Sequence, residues 1–251
     1  MKTKLDYNLL EDLYSQDKSY KEIASITGYS ENSVNGYFWR TKGKMTDSKK
    51  FRRNNIDINQ EQKEILYGTL MGDGNIQKQY TNSYLGRFKH SIKQLDYCKY
   101  LQNKLSEITT NVKEYSVKNK NGKEYQCCYF SLKNNYQLKE CYDLFYINGK
   151  KDIPYDLNLL TPKAMAYWFM DDGSARSGCT ISIATCSFSI EALIRIKQYL
   201  SDVYGLNVTI NKEFKLDFSA ESGRKFYQLT KEYIIPEMMY KFKFINTAML
   251  I

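Results

Sequence analysis

Residues 160–173 read Leu-Thr-Pro-Lys-Ala-Met-Ala-Tyr-Trp-Phe-Met-Asp-Asp-Gly, and residues 66–74 read Leu-Tyr-Gly-Thr-Leu-Met-Gly-Asp-Gly. Each is an apolar helix that ends in an acid followed by glycine. One such ending needs no function, because glycine in the left-handed conformation closes helices cheaply. Two of them, with Asp73 and Asp172 99 residues apart, are a far more specific pattern. A carboxylate at a helix C-terminus opposes the macrodipole, so each acid sits where negative charge is disfavoured. If the two helices pack side by side, with Gly68, Gly72 and Ala166 allowing close approach, the acids converge and repel. Divalent ions that also ligate phosphate oxygens relieve that repulsion. Oxygen donors without His or Cys suit Mg²⁺, with Mn²⁺ as a substitute, and fit metal-assisted hydrolysis of a phosphodiester.

Outward from these two helices the chain repeats its organisation. The first half predicts a helix over 61–72, strands around 80–89, a helix over 92–108, strands around 112–118 and 125–132, and a helix over 136–146. The second predicts a helix over 162–171, strands around 180–186, a helix over 190–204, strands around 208–218, and a helix over 224–239. Tyr84, Gly86 and Phe88 alternate with Arg87 and Lys89, as Phe214, Leu216 and Phe218 do with Lys215 and Asp217, so each sheet has one apolar and one polar face. Sheets covered by helices on one face make the chain α+β.

The chain has 251 residues and a net charge of +9, with 42% hydrophobic and 15% aromatic residues, which excludes intrinsic disorder. No apolar run reaches the ~18 residues of a membrane span. The N-terminus carries no apolar block of a secretory signal, so an intracellular, reducing location is expected: cytoplasm, nucleoid or organelle matrix. Six cysteines form no C-x-x-C pair and the sole histidine, His90, has no ligand-spaced partner, which argues against zinc and for reduced cysteines in the core or strands. The positive excess lies in residues 1–53 (11 basic against 7 acidic) and 77–151 (14 against 6), whereas 152–251 balance at 11 each. Lysines among tyrosines, asparagines and glutamines suit contact with nucleic acid.

In residues 1–40, Leu9, Leu10 and Leu13 mark one helix. A capping-box pattern, Ser19-Tyr20-Lys21-Glu22, opens a second that Gly28 closes, and Ser30 caps a third through Val34, Tyr37 and Phe38. Helices around a glycine turn resemble a helix-turn-helix, although any small three-helix bundle could use these residues. Residues 41–55 read as a basic linker, followed by halves at 56–150 and 151–251.

The two acid-ended segments resemble the paired signature motifs of the single-chain LAGLIDADG homing endonucleases. Residues 160–173, with NGKKDIP at 148–154 and IIPEMMYKF at 234–242, are similar to the mitochondrial intron-encoded branch. The likeness covers roughly residues 56–245. The first motif departs from the family pattern at Tyr67 and Gly72 but keeps the acid. The resemblance implies two αββαββα halves about a pseudo-two-fold axis, motif helices at their interface, and a saddle of two sheets on DNA. It also implies that Asp73 and Asp172 bind divalent ions with help from the backbone carbonyls of Gly72 and Asp171. Lys151 and Lys241 match the family's active-site basic residues, with Lys150 a competitor for the role of Lys151.

Two saddle halves following one turn of DNA each, at ~10 base pairs per turn, cover roughly 20 base pairs of an asymmetric duplex. Candidate DNA contacts are Asn32, Asn35, Arg40 and Lys42 near the N-terminus, then Gln77, Lys78, Arg87, Lys89, Lys113, Lys118, Lys120 and Lys123 in the first half. Arg176, Asn211 and Lys215 complete the set in the second. The expected activity is Mg²⁺-dependent, sequence-specific cleavage of double-stranded DNA by a monomer. The competing expectation is a non-cleaving DNA-binding regulator or an RNA maturase on the same fold.

Overall fold

A computed structural model describes residues 5–16, 18–42, 57–79, 84–133 and 137–242. The chain divides into two compact units, Met1–Asn55 and Ile56–Ile251. Among the described residues no helix is long and apolar enough to cross a membrane.

The N-terminal unit contains α1 (Tyr7–Ser15), α2 (Tyr20–Thr27) and α3 (Glu31–Lys42). Asp6 caps α1, and Ser19 and Glu22 close the capping box of α2, satisfying amides that the first helical turn leaves without carbonyl partners. Gly28 ends α2 at φ 72°, a backbone that glycine adopts without strain. Ser30 Oγ accepts from the Ser33 amide at the start of α3. Leu10, Leu13, Ile23, Val34 and Phe38 form the core, with Tyr14 and Tyr20 packed on the Phe38 ring. The third helix runs two residues into the predicted linker, whose remainder, from residue 43, lies outside the described residues.

In the second unit the predicted duplication is seen directly. The first half runs α4 (Gln60–Met71), β1 (Asn75–Lys78), β2 (Tyr84–Ser91), α5 (Leu95–Lys104), β3 (Lys113–Lys118), β4 (Glu124–Ser131) and α6 (Gln137–Phe145). A two-residue hairpin, β5 (Tyr146–Ile147) and β6 (Lys150–Lys151), follows it. The second half runs α7 (Pro162–Asp172), β7 (Gly173–Ala175), β8 (Ile181–Ile183), α8 (Ile190–Tyr204), β9 (Val208–Ile210), β10 (Leu216–Phe218) and α9 (Ala220–Thr230). Each half is αββαββα, and the antiparallel sheets share one strand order: β1-β2-β4-β3 and β7-β8-β10-β9.

Helices α4 and α7 pack side by side at the centre. Ile65–Met71 and Ala164–Asp171 are buried without interruption, which explains why neither helix shows a clean amphipathic stripe. The close approach occurs at Gly68, where a Cβ would meet the Ala164 carbonyl oxygen at 2.2 Å, and at Gly72, where it would meet the Asp171 Cβ at 2.4 Å. The α7 backbone that faces Gly68 is that of Ala164. Burial of side chains such as Leu70 and Phe169 contributes about 1.5–3 kcal/mol each.

Several boundaries differ from the sequence reading. Strands β1 and β7 start almost directly after the motif helices and are only four and three residues long, and neither was predicted. The helix expected over 92–108 is α5 flanked by single 3-10 turns. The helix expected over 224–239 starts at Ala220, capped by Ser219, and stops at Thr230, and Pro236 opens a separate 3-10 stretch to Phe242. Phe214 sits exposed in the β9–β10 turn at φ 58°, not on the strand face. The predicted division between residues 150 and 151 falls inside the β5–β6 hairpin. Its loop, Asn148-Gly149, has positive φ at both residues, as a type I′ hairpin turn requires. All six cysteines are free, with Cys98, Cys128 and Cys179 buried.

Candidate active site

The two motif helices end together, and around their C-termini the fold gathers three acids, two lysines, a histidine and a tyrosine. The β5–β6 hairpin swings Lys151 inward, where its ammonium donates to the carbonyls of Gly72 (2.6 Å) and Gly74 (2.8 Å). Lys150, its sequence competitor, points to solvent. The 3-10 stretch after Pro236 places Lys241, which donates to the Asp171 carbonyl at 2.6 Å. Each half thus offers one lysine to the backbone end of one motif helix, where unpaired carbonyls and the negative dipole end attract a cation. These are the carbonyls of Gly72 and Asp171 that the family resemblance assigns to metal ligation. A carbonyl oxygen has two lone pairs and can accept a second partner.

For Asp171 the family resemblance implies a role only for the backbone carbonyl. The structure puts its carboxylate at the centre of the cluster: it accepts from the Tyr97 hydroxyl at 2.8 Å and from the Asp73 amide at 3.2 Å. His90 is the other correction. The strand alternation that buries Gly86 and Phe88 also turns His90 inward, and its Nδ1 lies 3.6 Å from Asp73 Oδ2. The histidine that has no partner along the chain acquires two acids in space.

Electrostatics follow from crowding. Burial, then Asp73, raises the Asp172 carboxyl to about 7, against the opposing pull of Lys151 and Lys241. Burial and Asp73 likewise raise Asp171, while burial lowers the ammonium groups of Lys151 and Lys241 and the imidazole of His90. The folded, metal-free chain therefore binds a proton at Asp172 between its ordinary 3.8 and about 7 that the unfolded chain has lost. Stability contributed by this group falls as pH rises through that window. Asp172→Asn should accordingly melt higher than wild type at pH 8 without metal, and the difference should vanish near pH 4. At ~1.4 kcal/mol for each tenfold change in proton affinity, discounted for partial exposure, the gain is about 2 kcal/mol. Thermal melts of both proteins across that range check it; a gap that widens towards acid pH contradicts the assignment.

Two carboxylates and two carbonyls are an all-oxygen donor set, and a divalent cation offsets the negative charge crowded there, so these residues fit Mg²⁺ or Mn²⁺.

The candidate DNA contacts separate by register. Asn75 and Ser131 lie opposite Arg87, and Lys89, Tyr129 and Lys113 lie opposite one another across three strands, so with Gln77 they share the side of the first sheet away from the helices. Tyr115 and Tyr129 are on this face too and were not predicted; Arg87 lies over the Tyr129 ring. Lys78 and Lys118 fall on the opposite side of the pleat, emerging at strand ends, and Lys120 and Lys123 occupy the exposed β3–β4 turn. In the second sheet the corresponding positions of the described strands are Ser174, Ser182, Thr209 and Asp217, none of them a cation. Arg176 is exposed beyond β7. Asn211 organises the β9–β10 turn, accepting from the amides of Glu213 and Lys215 and donating to Asp217, while Lys215 pairs with Glu213. In the N-terminal unit Asn32, Asn35 and Arg40 are exposed on α3, and the side chain of Lys42 lies outside the described residues.

The sequence pattern of the LAGLIDADG DNA endonuclease family matches residues 63–226. The chain belongs to the LAGLIDADG DNA endonuclease family. Among its relatives, DNA endonuclease I-ChuI of Chlamydomonas applanata is 26% identical over 209 residues, spanning 74% of this chain and 96% of that protein. Cytochrome b mRNA maturase bI2 of Debaryomyces hansenii is 28% identical over 208 residues, spanning 74% and 75%. A protein RecA of Mycolicibacterium flavescens is 30% identical over 205 residues, but the match covers only 47% of its length. The homing endonuclease I-WcaI, solved bound to its DNA recognition sequence, superposes with a TM-score of 0.70 at 25% identity, covering 78% of this chain and 93% of that one. The LAGLIDADG pattern leaves the N-terminal unit unmatched, so that unit rests on its own geometry.

Proposed function

We propose that this LAGLIDADG chain acts as a monomeric, intracellular, site-specific endonuclease that hydrolyses both strands of a long asymmetric DNA target with Mg²⁺, for which Mn²⁺ substitutes. The carrying observation is the convergence of Asp73 and Asp172, each beside an inward-facing lysine, at the joined ends of two motif helices. Divalent ions held by Asp73 and Asp172, with the Gly72 and Asp171 carbonyls, would supply an activated hydroxide and neutralise the leaving oxygen. Lys151 and Lys241 stand ready to stabilise charge at a scissile phosphate or to orient solvent beside it. Gln77, Arg87, Lys89 and Lys113 present a cationic, amide-bearing row to one half-site, whereas the second sheet grips phosphate more weakly. Helix α3 offers Asn32, Asn35 and Arg40 to flanking DNA in the manner of a recognition helix.

Incubation of the protein with Mg²⁺ and a library of long random duplexes should release discrete ends that define one asymmetric site. The maturase relative favours one alternative, an RNA-binding or regulatory protein that does not cut. Specific, salt-sensitive binding with no scission in Mg²⁺ or Mn²⁺ would select that alternative and reject the nuclease reading.

A further inference from the structure

We propose that Asp73, His90 and Asp171 form a second kind of metal site, one that takes a single nitrogen-preferring divalent ion of the zinc, cobalt or nickel class in the DNA-free protein. One ligand atom from each residue lies within 4.8 Å of the others, so modest side-chain rotation brings all three onto one ion. The independent observation is His90 itself. Its side chain is 1% exposed, and neither Nδ1 nor Nε2 has a hydrogen-bond partner. Burying such a group unsatisfied costs about 1–3 kcal/mol, so a native imidazole in this position calls for a partner. Nδ1 faces Asp73 at 3.6 Å, which aims the ring at the acids.

The surroundings hold these ligands in place. Tyr97 packs edge-on against the His90 ring and donates its hydroxyl to Asp171 Oδ1, leaving Oδ2 turned towards Asp73. An outer hydrogen bond of this kind orients a ligating carboxylate. Asp73 is half-exposed, which gives an ion a route from solvent and leaves room for water on the metal. Imidazole plus two carboxylates with an open position matches the preference of zinc-class ions, whereas Mg²⁺ avoids nitrogen donors. Lys241 and Lys151 oppose a cation here, and Asp172 offsets them. The site shares Asp73 with the cleavage reading, and Asp171 through its carboxylate where that reading uses its carbonyl, but does not depend on it.

His90 is the only histidine in the chain, so its ring nitrogens can be followed by ¹⁵N NMR in the full-length wild-type protein without assignment by mutation. Zn²⁺ added to DNA-free protein should shift Nδ1 to a metal-bound position and fix the proton on Nε2, and Mg²⁺ at the same occupancy of protein should not. Calorimetry should show one Zn²⁺ per chain, with affinity lowered at least about tenfold in His90→Gln and about tenfold in Tyr97→Phe. Histidine resonances that ignore saturating Zn²⁺, or equal Zn²⁺ affinity in wild type and a folded His90→Gln, overturn the proposal. Cleavage in Mg²⁺ is scored separately: a cutting enzyme with a zinc-insensitive histidine refutes only this site, and a non-cutting protein with a zinc-bound histidine refutes only the nuclease reading.

Discussion

Asp73→Asn and Asp172→Asn should each lower Mg²⁺-supported cleavage by roughly a thousandfold, the scale seen when one preorganised transition-state contact is lost. Asparagine keeps the shape of aspartate but removes the charge that holds a divalent ion. Asparagine at 73 also removes the like charge that helps hold Asp171 and Asp172 above their ordinary range, and asparagine at 172 removes one that acts on Asp171. Target binding should therefore be maintained or tightened, since less negative charge faces the phosphates. Gel shifts in Ca²⁺ beside cleavage time courses in Mg²⁺ separate the two effects. Cleavage at the wild-type rate in either variant means that the ion is held elsewhere.

The second large effect is structural. Gly68→Ala places a methyl group 2.2 Å from the Ala164 carbonyl oxygen and 2.8 Å from the Tyr167 Cβ. The obstacle is helix backbone, which cannot rotate aside, so α4 and α7 must separate and take both active-site ends with them. Overpacking of this kind costs about 3 kcal/mol or more, a fall in melting temperature of roughly 6–10 °C for a domain of this size. Gly36→Ala is the control: nothing lies within 4 Å of its added methyl, and φ is unremarkable. In helix α3 that change should stabilise by about 0.5–1 kcal/mol. Scanning calorimetry of the two variants checks the contrast, and equal melting for Gly68→Ala and wild type would mean that the two helices can move apart at little cost.

The duplicated order of elements and the place of the two motif acids were readable because they depend on local pattern: an uninterrupted apolar helix, an Asp-Gly ending, and capping residues such as Ser19. Strands β1 and β7 escaped detection because three or four residues carry too few alternations to register as a period. The overlong final helix shows the reverse error, since apolar residues after Thr230 continue the pattern while Pro236 and the 3-10 turns break the hydrogen bonding. The side-chain cluster was hidden for another reason. Asp171 meets Tyr97 across 74 residues and Asp73 across 98, and no local spacing encodes such contacts. One clue did exist: continuing the Tyr84, Gly86, Phe88 alternation by one step turns His90 inward.

Gly72 and Asp171 hold equivalent places in the two motifs and touch each other across the helix pair. In a dimer of identical subunits such a position meets its own copy, so the pair would be two glycines or two aspartates. The first would lose the buried carboxylate, and the second would force together two side chains where a single added carbon has no room. Joining the halves in one chain lifts that constraint of self-complementarity. The segment between them holds the arrangement: Tyr67 donates to the Asp156 carbonyl, Arg195 to those of Ile153 and Pro154, and Ser189 to the Asp152 carboxylate. Covalent linkage thus lets one residue change on one side of the axis without its mirror image changing with it, and the third acid of the cluster is something a dimer of identical subunits cannot hold.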